Sequence, residues 1–515
     1  MKDNYKIMVY STCIIINNYN WGENPNLENS FRIWDPVTHT SNYKAIVYDK
    51  DSKTLILPKG IDLSYIENIF NTKAYITNSP LSSSDINHMQ SYSERILLKY
   101  APKDDKQREA MKFLIGQDKY YYTKGSSQLF LALNTGAGKT YLGIAYIAYM
   151  NLPTVIITAS VEWLKQWKAR IIEHTNIQPK NVKFIHGSSE INNILNNPDT
   201  ERYRCQIYLL THATILSYAN TNGWDSIGKL FKVLNIGIKI FDEAHLNFDN
   251  MYLIDFNTNI YRTLYLSATP GRGEEKENEI FSLYFKNVPR ITLFDPEEDP
   301  RTNYIAIRYK SGLTAQELSS CINLRGFNKM IYCDKIIYKE NFDHLMRILM
   351  NMISCIPGKK LIFMATNNAI SFMYEWIESN YPEYHNCVGI YTSLNKDKMS
   401  ALQYPLILTT SKSAGAALDV DGGISCSIQL AEPTKTEFQN RQRLGRTRGR
   451  NTFYIDIIDD DCAVSKKYYI ANLPMFETYA LSIKEIRFNN KELKAQSFNI
   501  MKKREEVGIS PFIKL

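Results

Sequence analysis

Gly136-Ala137-Gly138-Lys139-Thr140 puts two glycines, a lysine and a hydroxyl within one short turn, at the end of the apolar run Leu129-Phe130-Leu131-Ala132-Leu133. Glycines let backbone N–H groups approach an anion closely, and a helix starting there adds the positive end of its dipole. The Lys139 ammonium suits the β- and γ-phosphates of a nucleotide, and the Thr140 hydroxyl suits Mg2+. With Thr135, the stretch reads as a phosphate-binding turn between a strand and a helix. The full pattern wants a glycine five places before Gly138, where this chain has Leu133. Further on, "IKIFDEAH" ends a second apolar run in two carboxylates. Asp242 is placed to hold Mg2+ through water, and Glu243 to polarise an attacking water as general base.

These groups need rigid elements to hold them. The pattern of apolar run, turn and helix recurs in "TVIITASVEWLKQW", "IYLLTHATIL" and "LYLSATP", and again in "KKLIFMATNN" and "YPLILTTSKSAGAALDV". Strands alternating with helices predict parallel sheets covered on both faces. A chain of 515 residues exceeds one comfortable core, so several domains are expected. Residues 1–98 carry none of the motifs. There, "KAIVYDKDSKTLILPKGIDLSYI" predicts two strands around a turn and then a helix start, hence a small β-rich module. "DPEEDPR" at 295–301 reads as a linker or nearby loop. The expected division is an N-terminal module over 1–98, a first lobe over 99–297, a second over 298–478 and a helical tail over 479–515. The spacing of "IKEIRFNNKELKAQSFNI" is what suggests the helix in the tail.

In their order and approximate spacing, these segments resemble the superfamily 2 helicases and translocases over roughly residues 100–460. The resemblance implies an α/β fold of two tandem RecA-like lobes with parallel sheets. It also implies a nucleotide held between the lobes and a nucleic-acid strand gripped along the opposite rim. Gln107 resembles the glutamine that reads adenine. His245, in the Asp-Glu-Ala-His box, resembles with Ser267 and Thr269 the layer that couples hydrolysis to domain motion. Ser160, Thr211, Thr366 and Thr410 end strands and resemble the hydroxyls that hold nucleic-acid phosphates. Helix capping is the plain alternative for each of those four.

In "FQNRQRLGRTRGR", Gln442 matches a contact to the γ-phosphate or its water, and Arg446 matches an arginine finger. The family pattern expects another arginine at 449. This chain has Gly449 flanked by Arg448 and Arg450, and either could be the second finger. Asp419 matches the acidic residue that contacts the ribose or couples the lobes, although Ala417 stands where the family usually has glycine. A short module ahead of such a motor resembles helicases of large DNA viruses and phages that remodel branched DNA or release transcripts.

The composition fits this reading. The formal net charge of +8 is compatible with a nucleic-acid partner without establishing one. No apolar run reaches the length of a membrane span. The eight cysteines form no Cys-x-x-Cys pair and no zinc-type spacing. Reduced thiols without a secretory signal point to the cytoplasm or another reducing intracellular compartment, of a host cell if the source is viral. The expected function is an ATP- and Mg2+-dependent motor that unwinds, anneals or branch-migrates duplexes, DNA more than RNA, in the company of replication, repair or transcription machinery. A translocase that displaces transcripts or proteins without processive unwinding remains open. So does a nucleic-acid-binding scaffold clamped by ATP. No separate metal-carboxylate nuclease constellation is visible in the sequence.

Overall fold

Runs such as Gln128–Ala132, Thr154–Thr158 and Ile207–Thr211 are buried at every position. Both faces of each strand therefore need cover, which helices on either side of a parallel sheet supply. A computed structural model describes residues 5–35, 38–77, 86, 95–133, 137–197, 205–267, 271, 275–293, 302–323, 326–393, 395, 397, 399–414, 420, 423–435, 440, 443–444, 447, 451–489 and 494–501. The chain divides into two units, residues 1–294 and 295–515.

The first unit is built on a seven-stranded sheet. Its order is Val182–Phe184, Ile207–Thr211, Thr154–Thr158, Ile238–Phe241, Arg262–Ser267, Gln128–Ala132 and Arg290–Thr292, and every pair is parallel. Side chains alternate between the faces. Phe130, Val155, Ile157, Phe241 and Tyr265 fill one core. Leu129, Leu131, Ile156, Ile240 and Leu264 fill the other. Parallel strands all end on one edge, so the chain leaves Ala132, Thr158, Thr211, Phe241 and Ser267 on the same side of the sheet.

The expected β-rich module is present as a five-stranded sheet. Its order is Val47–Asp49, Thr54–Pro58, Cys13–Asn17, Lys6–Val9 and Tyr75–Ile76, antiparallel except for the last pair. This module is not a detached appendage. Its core residues Ile7, Ile14, Leu55 and Leu57 are continuous with Phe130 and Tyr265 of the larger sheet. Polar bonds fix the same seam. The Thr12 hydroxyl donates to the Asp255 carbonyl at 2.7 Å, and Lys59 Nζ donates to the Ser127 hydroxyl at 2.6 Å. Lys44 Nζ bridges Asp249 at 2.9 Å and Glu277 at 2.5 Å.

Beneath this seam lies an ion pair that the sequence does not announce. Lys239 and Asp255, both fully buried, meet at 2.6 Å. The Tyr265 and Tyr284 hydroxyls donate to Asp255 Oδ2 at 2.6 and 2.7 Å, and Lys239 Nζ also donates to the Thr258 hydroxyl at 2.7 Å. Burial pulls the Lys239 ammonium below its usual range, and the Asp255 charge opposes that fall. A buried charge is tolerable only with partners of this kind.

The second unit carries an eight-stranded sheet. Its order is Val388–Tyr391, Leu406–Thr410, Lys360–Met364, Cys426–Gln429, Thr452–Asp459, Thr302–Tyr309, Ser482–Asn489 and Lys494–Met501. All pairs are parallel except the last. Helices Lys329–Ile336, Glu340–Ser354 and Asn367–Asn380 contribute to one core, and Ala463–Tyr479 contributes to another. Two tandem parallel-sheet lobes with a β-rich N-terminal module are therefore the architecture.

The helical tail is corrected. Ser482–Asn489 pairs parallel with Thr302–Tyr309, and Lys494–Met501 pairs antiparallel with it in turn. Helical spacing weighs side chains alone. Here the open edge of Thr302–Tyr309 offers a row of backbone N–H and C=O groups, and satisfying them outweighs local preference.

The seam around Gly60 is tight. A Cβ added there would lie 1.9 Å from the Tyr284 carbonyl oxygen, and the Asn287 N–H donates to the Gly60 carbonyl at 3.2 Å. Backbone cannot yield as a side chain can. Gly60→Ala is expected to destabilise the first unit by about 1–3 kcal/mol. Chemical denaturation of the full chain checks this; an unchanged midpoint would show that the seam is loose.

Candidate nucleotide site

The strand Gln128–Ala132 and the helix Lys139–Met150 flank the glycine turn. Asn134, Thr135 and Gly136 lie outside the described residues. Gly138 caps the helix with φ +91°, a conformation that costs a glycine little. A second constraint acts at the same residue. A Cβ on Gly138 would lie 2.3 Å from Gln107 Nε2. The Gln107 side chain is packed against the turn and donates from Nε2 to the Ala137 carbonyl at 3.2 Å. Its Oε1 accepts from Lys103 N–H at 3.0 Å, and its own N–H is capped by Asp104 at 2.8 Å. The structure thus brings Gln107 to the turn and buries it there.

The N–H groups of the first helical turn have no side-chain cap, which suits an anion. Lys139 is buried. Its Nζ donates to the Leu133 carbonyl at 3.1 Å and lies 3.7 Å from Glu243 Oε1. Thr140, beside it, is half-buried.

Asp242 and Glu243 follow the strand Ile238–Phe241, and neighbouring strands clamp their backbone. Asp242 N–H donates to the Ile157 carbonyl at 3.1 Å, and Ala244 N–H donates to the Leu266 carbonyl at 2.9 Å. Between these bonds, Glu243 holds φ +49°. A non-glycine residue there stores about 1–3 kcal/mol of strain, a feature that collects at functional sites. Glu243 Oε2 lies 3.4 Å from His245 Nδ1, which is 2.7 Å from the Ser267 hydroxyl. The Ser267 carbonyl accepts from Leu133 N–H at 3.1 Å. A closed ring results, running Leu133, Ser267, His245, Glu243, Lys139 and back to Leu133. It ties together the ends of three adjacent strands.

Asp242 is buried, and its Oδ2 accepts from the Trp167 indole N–H at 2.8 Å. Burial raises the Asp242 carboxyl above its usual range, and the Glu243 charge adds to that; Trp167 and Lys139 oppose it. A hydroxyl at Thr140 and a carboxylate at Asp242 are hard oxygen donors. That chemistry fits Mg2+ better than a soft metal.

The four strand-end hydroxyls are all helix caps. Ser160 accepts from Trp163 N–H, Thr211 from Thr214 N–H, Thr366 from Ala369 N–H and Thr410 from Ser413 N–H. They also fall into pairs. Ser160 and Thr211 follow the neighbouring strands Thr154–Thr158 and Ile207–Thr211. Thr366 and Thr410 follow the neighbouring strands Lys360–Met364 and Leu406–Thr410. Thr366 additionally donates to Asp334 Oδ1 at 2.6 Å. Thr269, Asp419, Gln442, Arg446, Arg448 and Arg450 lie outside the described residues.

One arginine of the basic run is not a surface charge. Arg443 is buried, pairs with buried Glu432 at 3.0 Å, and donates to Gln429, Thr434 and Ser411. Burial alone would raise the Glu432 carboxyl, but Arg443 and Lys329 outweigh it and hold it below its usual range. A run of five arginines hides this, because sequence spacing does not separate the inward one from the rest.

The family described as "Type III restriction enzyme, res subunit" matches residues 99–272, the span of the ring and the turn. Among curated proteins, the general transcription and DNA repair factor IIH helicase/translocase subunit XPB of Enterocytozoon bieneusi is 28% identical over 154 residues, 29% of this chain and 25% of that protein. The DNA 3'-5' translocase XPB2 of Sulfurisphaera tokodaii is 27% identical over 228 residues, 42% of this chain and 44% of that protein. The chain is similar to superfamily 2 helicases and translocases over this span. It spans a quarter to under half of the length of these two relatives. Among solved structures, S. cerevisiae Dbp5 bound to RNA and ADP BeF3 aligns over 74% of this chain and 89% of its own, with TM-score 0.48 and 16% identity.

An uncapped helix start with a buried lysine on it predicts that the Lys139 charge supports nucleotide binding. Lys139→Ala is expected to weaken binding of a fluorescent ATP analogue by about 10- to 100-fold, the worth of one hydrogen bond to a charged group. Equilibrium titration measures it, and equal affinity in the variant would remove Lys139 from the site.

Proposed function

We propose that this protein is an ATP-dependent DNA helicase or translocase that hydrolyses ATP and converts the cleavage into movement along a strand. The observation that carries the reading is the closed ring at the strand ends. Lys139, Glu243 and the His245–Ser267 pair share one circuit of three hydrogen bonds and two longer polar contacts at 3.4 and 3.7 Å. Displacing Lys139 toward a γ-phosphate changes what Glu243 faces, and Glu243 in turn leans on His245. Events at the phosphate therefore reach the strand Arg262–Ser267.

In this reading Thr140 and Asp242 hold Mg2+, which neutralises phosphate charge and polarises the γ-phosphate. Glu243 accepts a proton from the attacking water. Gln107 sits on the adenine side of the turn. Thr135, Gly136, Ala137 and Gly138 line the phosphates. His245, Ser267 and Thr269 transmit the change. Gln442, Arg446 and one of Arg448 or Arg450 sense the γ-phosphate, and Asp419 contacts the ribose. Ser160, Thr211, Thr366 and Thr410 grip nucleic-acid phosphates, helped by the helix N-termini they cap. DNA is favoured over RNA because the named relatives are a DNA repair factor subunit and a DNA translocase. Unwinding, annealing and branch migration are the activities proposed, alongside replication, repair or transcription machinery. Displacement of transcripts or proteins without processive unwinding is the second reading, favoured by the translocase among those relatives. An ATP-clamped scaffold is disfavoured, since a clamp has no use for a strained general base.

Glu243→Gln is the direct test. ATP binding should persist while turnover falls by at least about 100-fold, the range of general acid–base catalysis. Unchanged turnover would take the general-base role from Glu243. Binding to single-stranded DNA should also weaken with salt, with a log–log slope of about −0.7 per phosphate neutralised; a flat response would count against a nucleic-acid substrate. Strand displacement on forked DNA, an RNA–DNA hybrid and duplex RNA separates the first reading from the second.

A further inference from the structure

We propose that Trp167 is a positioning residue for Asp242, and that Gly143 is the vacancy that admits its ring. The proposal deepens the nucleotide-site reading and rests on it.

Trp167 lies on the helix Val161–His174, which follows Thr154–Thr158, the strand beside Ile238–Phe241. Its side chain is 2% exposed. An indole has one polar atom, a donor, and when buried it needs an acceptor. Here the acceptor is Asp242 Oδ2 at 2.8 Å. A large ring anchored in the core by its bicyclic body does not rotate easily. The donor is therefore fixed, and holding Oδ2 fixes the plane of the carboxylate and with it the direction of Oδ1.

The ring reaches this place only because Gly143 has no side chain. A Cβ there would lie 2.8 Å from Trp167 Cη2 and 3.5 Å from Leu266 Cδ1. Gly143 stands in the middle of the helix Lys139–Met150, where glycine costs about 1 kcal/mol relative to alanine. It follows Lys139 by one helical turn, on the same face. The indole thus touches the helix that carries Lys139 and Thr140 and the strand end that carries Asp242. The two oxygen donors assigned to Mg2+ are held in one frame by a residue that is itself neither a ligand nor a base. Supporting bonds of this kind are worth about 10- to 100-fold in metal affinity when removed.

The experiment titrates fluorescent ADP into the full chain with excess EDTA and then across a Mg2+ series. Three variants are compared with the wild type: Trp167→Phe, which loses the N–H; Trp167→benzothienylalanine, which keeps the bicyclic shape and replaces N–H by sulfur; and Gly143→Ala, which displaces the ring. The expected result is unchanged ADP affinity in EDTA and a half-saturating Mg2+ concentration raised about 10-fold or more. The benzothienylalanine variant should do this with the packing of the ring kept. If it matches the wild type in Mg2+ dependence, the indole is packing only and the proposal is overturned. If Trp167→Phe and Gly143→Ala lower ADP affinity equally with and without Mg2+, the same conclusion follows. A wild-type chain that binds ADP with no response to Mg2+ would overturn the Asp242 assignment as well. A failure of the site reading is thereby distinguished from a failure of the Trp167 role alone.

Discussion

Parallel strands end on the same edge of a sheet, and the candidate site depends on that single constraint. Gln128–Ala132, Arg262–Ser267 and Ile238–Phe241 lie side by side, so Leu133, Ser267 and Asp242-Glu243 emerge as neighbours although more than 100 residues separate the first from the last. The ring from Leu133 through Ser267, His245, Glu243 and Lys139 closes across these ends. Buried polar circuits are strong when every member is satisfied and costly when one is not.

Holding that edge in register takes rigid support from below. The ladder does part of the work, since Asp242 and Ala244 are bonded to strands on opposite sides. The buried Lys239–Asp255 pair does another part, with Lys239 on the strand that leads into Asp242. Tyr265, from the adjacent strand, and Tyr284, from the helix Glu275–Tyr284, complete its bonds. The N-terminal module closes the same region through Thr12 and Gly60. The module thereby becomes part of the lobe's core, with a physical link to the strand that carries the acidic pair.

Glycine has separate physical reasons at two places near the site. At Gly138 the reason is a positive φ together with the close approach of Gln107. At Gly143 it is a tryptophan ring passing where a Cβ would sit. Only the first belongs to a pattern that spacing can reveal. The second stands in an ordinary helical stretch, and its cause is far away in the chain.

Residue type and spacing alone determined the glycine turn, the acidic pair, the alternation of strands and helices and the β character of the N-terminal module. Each of these is a local property: a glycine turn, a periodicity, a strand ending in carboxylates. The partners across long separations became known only from the tertiary structure. Lys239, Arg443 and Trp167 carry no local signal of a special role. Each proved to be bonded to a carboxylate elsewhere in the fold. The tail shows the same limit in backbone terms. Its side-chain spacing allowed a helix, and an open sheet edge some 180 residues away in sequence, at Asn303 opposite Ser482, made it a strand. Local sequence sets what a segment can be, whereas buried charges and unpaired backbone edges find their partners only when the whole lobe has closed around them.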